Sequence, residues 1–381
     1  MGEWMVRAFA PGRTELAGNH MDHQGGLVVS GAVEQSIQVL ARPNDDGVVR
    51  VRSRGFMPFE ISIATTANLE PHLDEQGTSV ALVRGLAAGL RAAGVLVPGF
   101  DAQVETTLPP GGGLSSSAAF EMAVGRAMEA LAGAAPLPPL QLAAIGAKAE
   151  QQFFGKPCGL QDQSASACGG ICLLDFADPA APTATPIAFD FAAHGYAVVL
   201  VDTRCDHSQF NAEFAQVVND MNAAAGFFGA QRIGQVPEST YFARLREVAR
   251  KLGDAVALRG LHYYNELHLV KLRAAALEAG DVEAYLAATR RSAVSSAQYL
   301  QNVAVAGSRQ QPAMMALALA DRQLDGRGAC RIHGGGFGGT IQAYVPLDAL
   351  DAFVGGIEAT LGRGVCNVVK IRPQGAAAEQ L

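Results

Sequence analysis

Leu108-Pro109-Pro110-Gly111-Gly112-Gly113-Leu114-Ser115-Ser116-Ser117-Ala118-Ala119 is the stretch from which the chain is best read. Upstream, Phe100 to Thr107 alternates apolar and polar side chains, which predicts a strand. Downstream, Phe120, Val124, Met128 and Leu131 recur at helical spacing, which predicts a helix from Ser117 to Ala132. The order is therefore strand, glycine turn, helix start. Glycines let backbone N–H groups come close to an anion, and the unpaired amides and dipole of a helix start favour negative charge. Serine hydroxyls add donors to phosphate or a ligand for Mg²⁺. The other reading of these residues is a glycine-rich turn with a serine helix cap.

The stretch is not a Walker A loop, because GxxxxGK[ST] occurs nowhere in the chain. The GxGxxG match, Gly334-Gly335-Gly336-Phe337-Gly338-Gly339, is no dinucleotide fingerprint either. Thr340-Ile341-Gln342-Ala343-Tyr344-Val345 follows it and alternates like a strand, whereas the fingerprint opens a helix. Two glycine loops of other kinds point to a less common nucleotide-binding fold.

Composition narrows the class. The 381 residues are 49% hydrophobic and 17% charged, suiting a globular protein of about two domains. A formal charge of −7 gives no basic surface for nucleic acid or an anionic membrane. Six cysteines form no CxxC pair and no secreted framework, so reduced thiols and a cytoplasmic location are expected, without zinc. Met1-Gly2-Glu3-Trp4 carries no basic-then-apolar leader pattern. The uncharged run Ala130 to Ala147 is interrupted by Pro136, Pro138 and Pro139, which breaks any membrane-spanning reading.

Near the start, Trp4 to Phe9 predicts a short strand leading into a loop from Ala10 to Gly26. That loop gathers Arg13, Glu15, Asn19, His20, Asp22 and His23 between apolar runs. His20 and His23 alone, with no third ligand signalled, do not define a metal site. Strands are predicted at Val28 to Val33, Ile37 to Ala41, Val48 to Ser53 and Phe59 to Ile63, with a helix from Ser79 to Ala92. A helix from Leu140 to Phe154 carries Glu150, and Pro157 and Gly159 then force a turn that leaves Asp162 near the start of another short helix. An aspartate there reads most simply as a cap. Asp178 to Thr183 is the linker candidate, so domains are expected at 1–180 and 181–381. The second half predicts helices at Asp206 to Phe228, Leu261 to Glu278, Val282 to Tyr299 and Pro312 to Leu324. Strands at Tyr196 to Asp202, Ala329 to Ile332, Ile341 to Val345 and Val368 to Ile371 complete an α+β chain.

Four segments, in order, resemble one family. Pro11 to Gly26 is similar to the GRxNLIGEHTDYNGG signature of galactokinases, and Gly159-Leu160-Gln161-Asp162-Gln163 is similar to their GxMDQ. Leu108 to Ala119 and Gly334 to Gly339 resemble the second and third motifs of the GHMP small-molecule kinases. The resemblance implies a two-domain α+β fold, its first domain similar to a ribosomal-protein domain and its second ferredoxin-like, with the active site in the cleft between them. It implies ATP and Mg²⁺, a small sugar as the other substrate, transfer to the anomeric hydroxyl of galactose, and a monomer with no nucleic-acid or membrane partner.

On the matching positions, the resemblance makes Asp162 the catalytic aspartate and Arg13 its partner. It places Mg²⁺ on Ser117 and Glu150, and phosphates on Gly111, Gly112, Gly113, Leu114, Ser115, Ser116 and Ser117. The sugar would meet Glu15, Asn19, His20, Asp22, Gly159 and Phe214. Departures cluster there. Asn19 stands for a glutamate expected near O6, Glu15 for an asparagine, His23-Gln24 for Tyr-Asn, and Phe214 for a sugar-facing tyrosine; Asp202 to His207 keeps a further family pattern only in part. The sequence therefore leaves two alternatives to galactose: another sugar, such as N-acetylgalactosamine, arabinose or a uronic acid, or a non-catalytic sensor of sugar and ATP.

Overall fold

The computed structural model describes residues 3–109, 111–205 and 210–381. Pro110 of the first glycine loop, and Asp206 and His207 at the start of an expected helix, lie outside the described residues. Strand β1 (Val6–Ala17) runs antiparallel to β2 (Leu27–Pro43). The sequence predicts only Trp4 to Phe9 as strand there, because Pro11 and Gly12 read as breakers. The strand continues past them through register shifts between Pro11 and Arg13 and between Glu15 and Ala17, which absorb the irregularity. The correction matters for function: Arg13 and Glu15 stand on a sheet and not on a loop.

Further along come β3 (Val48–Ser53), β4 (Phe59–Ser62), α1 (Ser79–Ala92), β5 (Phe100–Thr106), α2 (Ser116–Leu131), α3 (Pro139–Lys148), α4 (Gln161–Cys168), β6 (Ile171–Asp175) and β7 (Thr183–Ile187). The second half holds β8 (Tyr196–Asp202), α5 (Asn211–Gly226), α6 (Glu238–Ala243), α7 (Leu245–Leu252), α8 (Asp254–Glu278), α9 (Val282–Ser295), α10 (Pro312–Leu324), β9 (Ala329–Ile332), β10 (Thr340–Pro346), α11 (Leu350–Leu361), β11 (Cys366–Val369) and β12 (Ala377–Gln380). Among the described residues the strands form two sheets. One runs β12-β1-β2-β5-β3-β4, with β6 and β7 branching from β2; the other runs β11-β8-β10-β9.

The expected boundary at 180/181 is crossed twice. Thr183 to Ile187 pairs with β6, and the C-terminal strand β12 returns to pair with β1. The supposed linker is a turn within the first sheet. Apolar alternation decides the cores. Val39, Val49, Phe100 and Val104 meet Leu86, Leu90, Met122 and Met128 from α1 and α2, all buried. In the second lobe Val199, Val201, Ile341 and Ala343 meet Ala316 and Ala320 of α10 and Phe353 of α11. Helix α11 escapes the sequence reading altogether.

Strand β1 also joins the lobes. Glu15, 3% exposed, pairs its carboxylate with the fully buried Arg331 of β9, and Arg331 Nη1 donates to the Glu15 carbonyl at 3.0 Å. Next to it, Gln342 Nε2 of β10 donates to Thr14 Oγ1 at 2.8 Å. A buried pair broken on one side leaves an uncompensated charge. Arg331→Met should therefore destabilise the protein by about 3–5 kcal/mol in chemical denaturation, and Glu15→Leu added to it should recover most of that loss. Additive losses in the double variant would contradict the pairing.

Candidate active site

The first glycine loop and the start of α4 meet beneath β1. Arg13 reaches from the strand to both. Its Nε and Nη2 donate to Asp162 Oδ1 and Oδ2 at 2.6 and 2.8 Å, and its Nη1 donates to the Gly113 carbonyl at 2.7 Å. The Arg13 backbone N–H donates to the Leu114 carbonyl at 3.1 Å, fixing the same loop from the main chain. The fork geometry of guanidinium suits this two-point grip on a carboxylate, which an ammonium cannot reproduce. Arg13 is buried, whereas the Asp162 side chain keeps 35% of its surface exposed, so the carboxylate remains reachable. Partial withdrawal from water pushes the Asp162 carboxyl up. The charge of Arg13, its hydrogen bonds and that of Ser115 outweigh this and hold it below the ordinary aspartate value.

Ser115 precedes α2 at the N-cap position with a left-handed backbone, φ 53°. A serine there ordinarily turns its hydroxyl onto the helix amides. This one donates to Asp162 Oδ2 instead, and no side chain caps α2. The amides at the helix start are left for an anion, as the phosphate-loop reading requires. Gly113 adopts φ 69°, and a Cβ on it would collide with Thr340 Oγ1. The residues that flank the second glycine segment, His333 and Thr340, are joined Nδ1 to Oγ1 at 3.0 Å and stand against the first loop at Gly113.

In the first turn of α2, Ser117 Oγ lies 3.3 Å from Glu150 Oε1. Glu150 belongs to a π-helical segment, Ala149–Phe154, that continues α3; the predicted helix is real but widens at its C-terminal end. Lys156 Nζ contacts the same Glu150 oxygen at 3.0 Å, and Gln163 Nε2 donates to the other at 2.8 Å. A hydroxyl and a carboxylate, both hard oxygens and both beside the phosphate loop, suit Mg²⁺, which takes few protein ligands and completes its shell with phosphate and water. Among the described residues no group of three or more His, Cys, Asp or Glu is placed to hold a metal by itself.

Asp22 closes the site from the other side. Its carboxylate packs so tightly over Gly159 that a Cβ there would overlap it. Burial, and then the negative charge of Asp162, raise the Asp22 carboxyl to about 6. His20 carries φ 59° and lies against Phe214, with ring centroids 5.1 Å apart and the rings tilted by 39°. Burial lowers its imidazole to about 4. The structure thus brings Arg13, Ser115, Ser117, Glu150, Gly159, Asp22 and Asp162 together. Two sequence candidates also have buried partners: Glu15, within reach of the Asp22 charge, pairs with Arg331, and Asn19, with no exposed surface, bonds the second glycine segment. Lys156 and Gln163 escaped assignment from sequence, although Gln163 stands inside the GLQDQ segment and Lys156 three residues before it.

Comparison with known proteins places the chain in a family. The GHMP kinases N terminal domain pattern matches residues 81–170, and the galactokinase galactose-binding signature matches residues 2–43. A Lactococcus lactis galactokinase crystallised with galactose superposes with a TM-score of 0.83 at 22% identity, covering 99% of this chain and 95% of that one. L. major mevalonate kinase, crystallised with R-mevalonate, superposes at 0.64 with 19% identity over 97% and 96%. Fold and site define a GHMP small-molecule kinase. Galactokinase of Streptomyces coelicolor is 32% identical over 353 residues, 92% of this chain and 87% of that protein; that of Streptomyces lividans is 33% identical over 356 residues, 91% and 83%. The chain belongs to the galactokinase family.

Arg13→Lys keeps the charge and loses the fork. It should lower kcat roughly 100-fold; in Arg13→Met, which drops the charge as well, the acidic limb of the kcat profile should also move to higher pH, because Asp162 loses the charge that holds its carboxyl down. An unmoved limb would show that Arg13 does not set the ionisation of Asp162.

Proposed function

We propose that this protein transfers the γ-phosphoryl group of ATP to the anomeric hydroxyl of galactose, yielding galactose 1-phosphate, ADP and a proton. The observation that carries the reading is the bidentate Arg13–Asp162 pair, tied by Gly113 and Ser115 to an uncapped helix start. Phosphoryl transfer is chiefly positioning and neutralisation of developing charge, and these residues supply both. The backbone from Gly111 to Ser117 receives the phosphates. Asp162 orients the sugar hydroxyl and takes its proton as the bond to phosphorus forms. Arg13 keeps that aspartate ionised and faces the charge building on the moving group. Ser117 and Glu150 would hold Mg²⁺, which when bound neutralises phosphate charge.

Asp22, beside Gly159 and close enough to Asp162 to feel its charge, accepts hydrogen bonds from the sugar hydroxyls. His20 and Phe214 wall the same side. The six free cysteines suit a reducing compartment, and among the described residues no helix is long and apolar enough to cross a membrane. A cytoplasmic enzyme is the reading these support.

ATP consumption with Mg²⁺ should be measured across galactose, 2-deoxygalactose, N-acetylgalactosamine, arabinose, glucose and galacturonate. Galactose is expected well ahead; another winner would move the substrate, and silence on all with ATP still bound would indicate a sensor. Asp162→Ala should abolish turnover while sparing nucleotide binding. The KM for galactose should rise as pH falls through about 6, where Asp22 gains a proton and loses acceptor capacity. A KM flat from pH 7 to 5 would remove Asp22 from sugar binding.

A further inference from the structure

His333 and Thr340, which flank the second glycine segment, stand against Gly113, and the residues after β1 hold Gly334 and Gly335. Asn19 Nδ2 donates to the Gly334 carbonyl at 2.5 Å, and His20 Nε2 reaches the Gly335 carbonyl at 3.1 Å. Asn302 Nδ2 bridges the two, donating to Asn19 Oδ1 at 2.8 Å and to the Gly335 carbonyl at 3.3 Å. The Asn302 carbonyl accepts from the Phe337 N–H at 2.6 Å. Asn19 and Asn302 have no exposed surface, so their side-chain hydrogen bonds form away from water, and the Asn302 Oδ1 is left without a partner among the described residues.

Proton directions in this network are fixed by chemistry. A carbonyl only accepts, so His20 Nε2 carries the hydrogen and, in the neutral ring, Nδ1 accepts. His23 Nε2, 3.1 Å away, must then donate to it, and His23 Nδ1 accepts from Gln24 Nε2 at 3.1 Å. Gln24 Nε2 also donates to Asn222 Oδ1 of α5 at 2.8 Å. Asn19 is equally constrained. Its side chain must donate to Gly334 and accept from Asn302, which an amide does and a carboxylate cannot.

We propose that Asn19 is a positioning residue: with Asn302 it sets the second glycine segment against the phosphate loop, and it does not read the C6 end of the sugar. The inference rests on the kinase reading above. It explains the departure at this position as a requirement of loop anchoring, with His20 and His23 extending the anchor toward α5.

The test compares wild type with Asn19→Asp, which keeps the shape and loses the donor. Galactose and 6-deoxygalactose, the same sugar without its O6, are assayed side by side, and nucleotide affinity is measured by calorimetry. Asn19→Asp should lower kcat and weaken ATP binding roughly tenfold or more. The ratio of kcat/KM between the two sugars should stay within about twofold of wild type, since removing the enzyme's half of a hydrogen bond to O6 would change that ratio by more. Asn302→Ser, a smaller lesion in the same network, should give the same nucleotide-side loss and keeps the test open if Asn19→Asp does not fold. A loss confined to galactose KM, with the sugar ratio collapsing, would overturn the proposal while leaving the kinase reading intact. Wild type that bound no nucleotide would overturn both.

Discussion

Arg13 and Asp162 form the interaction on which the site depends. One guanidinium holds a carboxylate by two hydrogen bonds and the Gly113 carbonyl by a third. Asp162, the first glycine loop and strand β1 are thereby fixed to a single side chain. Because β1 also carries Thr14 and Glu15 into the second lobe, the same strand aligns the cleft walls. Preorganisation of this kind is where a phosphoryl-transfer enzyme gains most, since little covalent chemistry falls to the protein.

Electrostatics sort the carboxylates by how readily they ionise. Asp162 is held down by Arg13, whereas Asp22 is lifted by burial and by Asp162 itself. Deeper still, burial and the charge of Glu150 push the Glu121 carboxyl well above its ordinary value, and Gln163 Nε2 bonds both it and Glu150, at 2.9 and 2.8 Å. Asp162, Asp22 and Glu121 thus differ in how readily they ionise through their surroundings alone. Lys156, partly exposed at the rim, offsets the negative charge on Glu150.

Much of this was legible in the sequence. The helix over Ser79 to Ala92 and the strands over Tyr196 to Asp202 and Ala329 to Ile332 follow from periodicity and are found with those ends. The two glycine loops declared a phosphate-binding fold, and the motif order placed Arg13, Glu150 and Asp162 in one family. What failed did so for physical reasons. Pro11 and Gly12 hid a long strand because bulges, which pattern does not show, absorb them. The Asp178 to Thr183 turn resembled a linker because loops and linkers share composition, while β12 returns to the first sheet from the far end of the chain. The partners of Asn19 and Glu15, which are Gly334, Asn302 and Arg331, were hidden too, because they lie roughly three hundred residues away and only folding reveals them.

A double-variant cycle on kcat tests the central claim most directly. If Arg13 and Asp162 act as one unit, Arg13→Met with Asp162→Asn should be scarcely slower than the worse single variant, because each single change already disables the pair. Losses that multiply in the double variant would mean that the two residues contribute independently, and the account built on their pairing would fall.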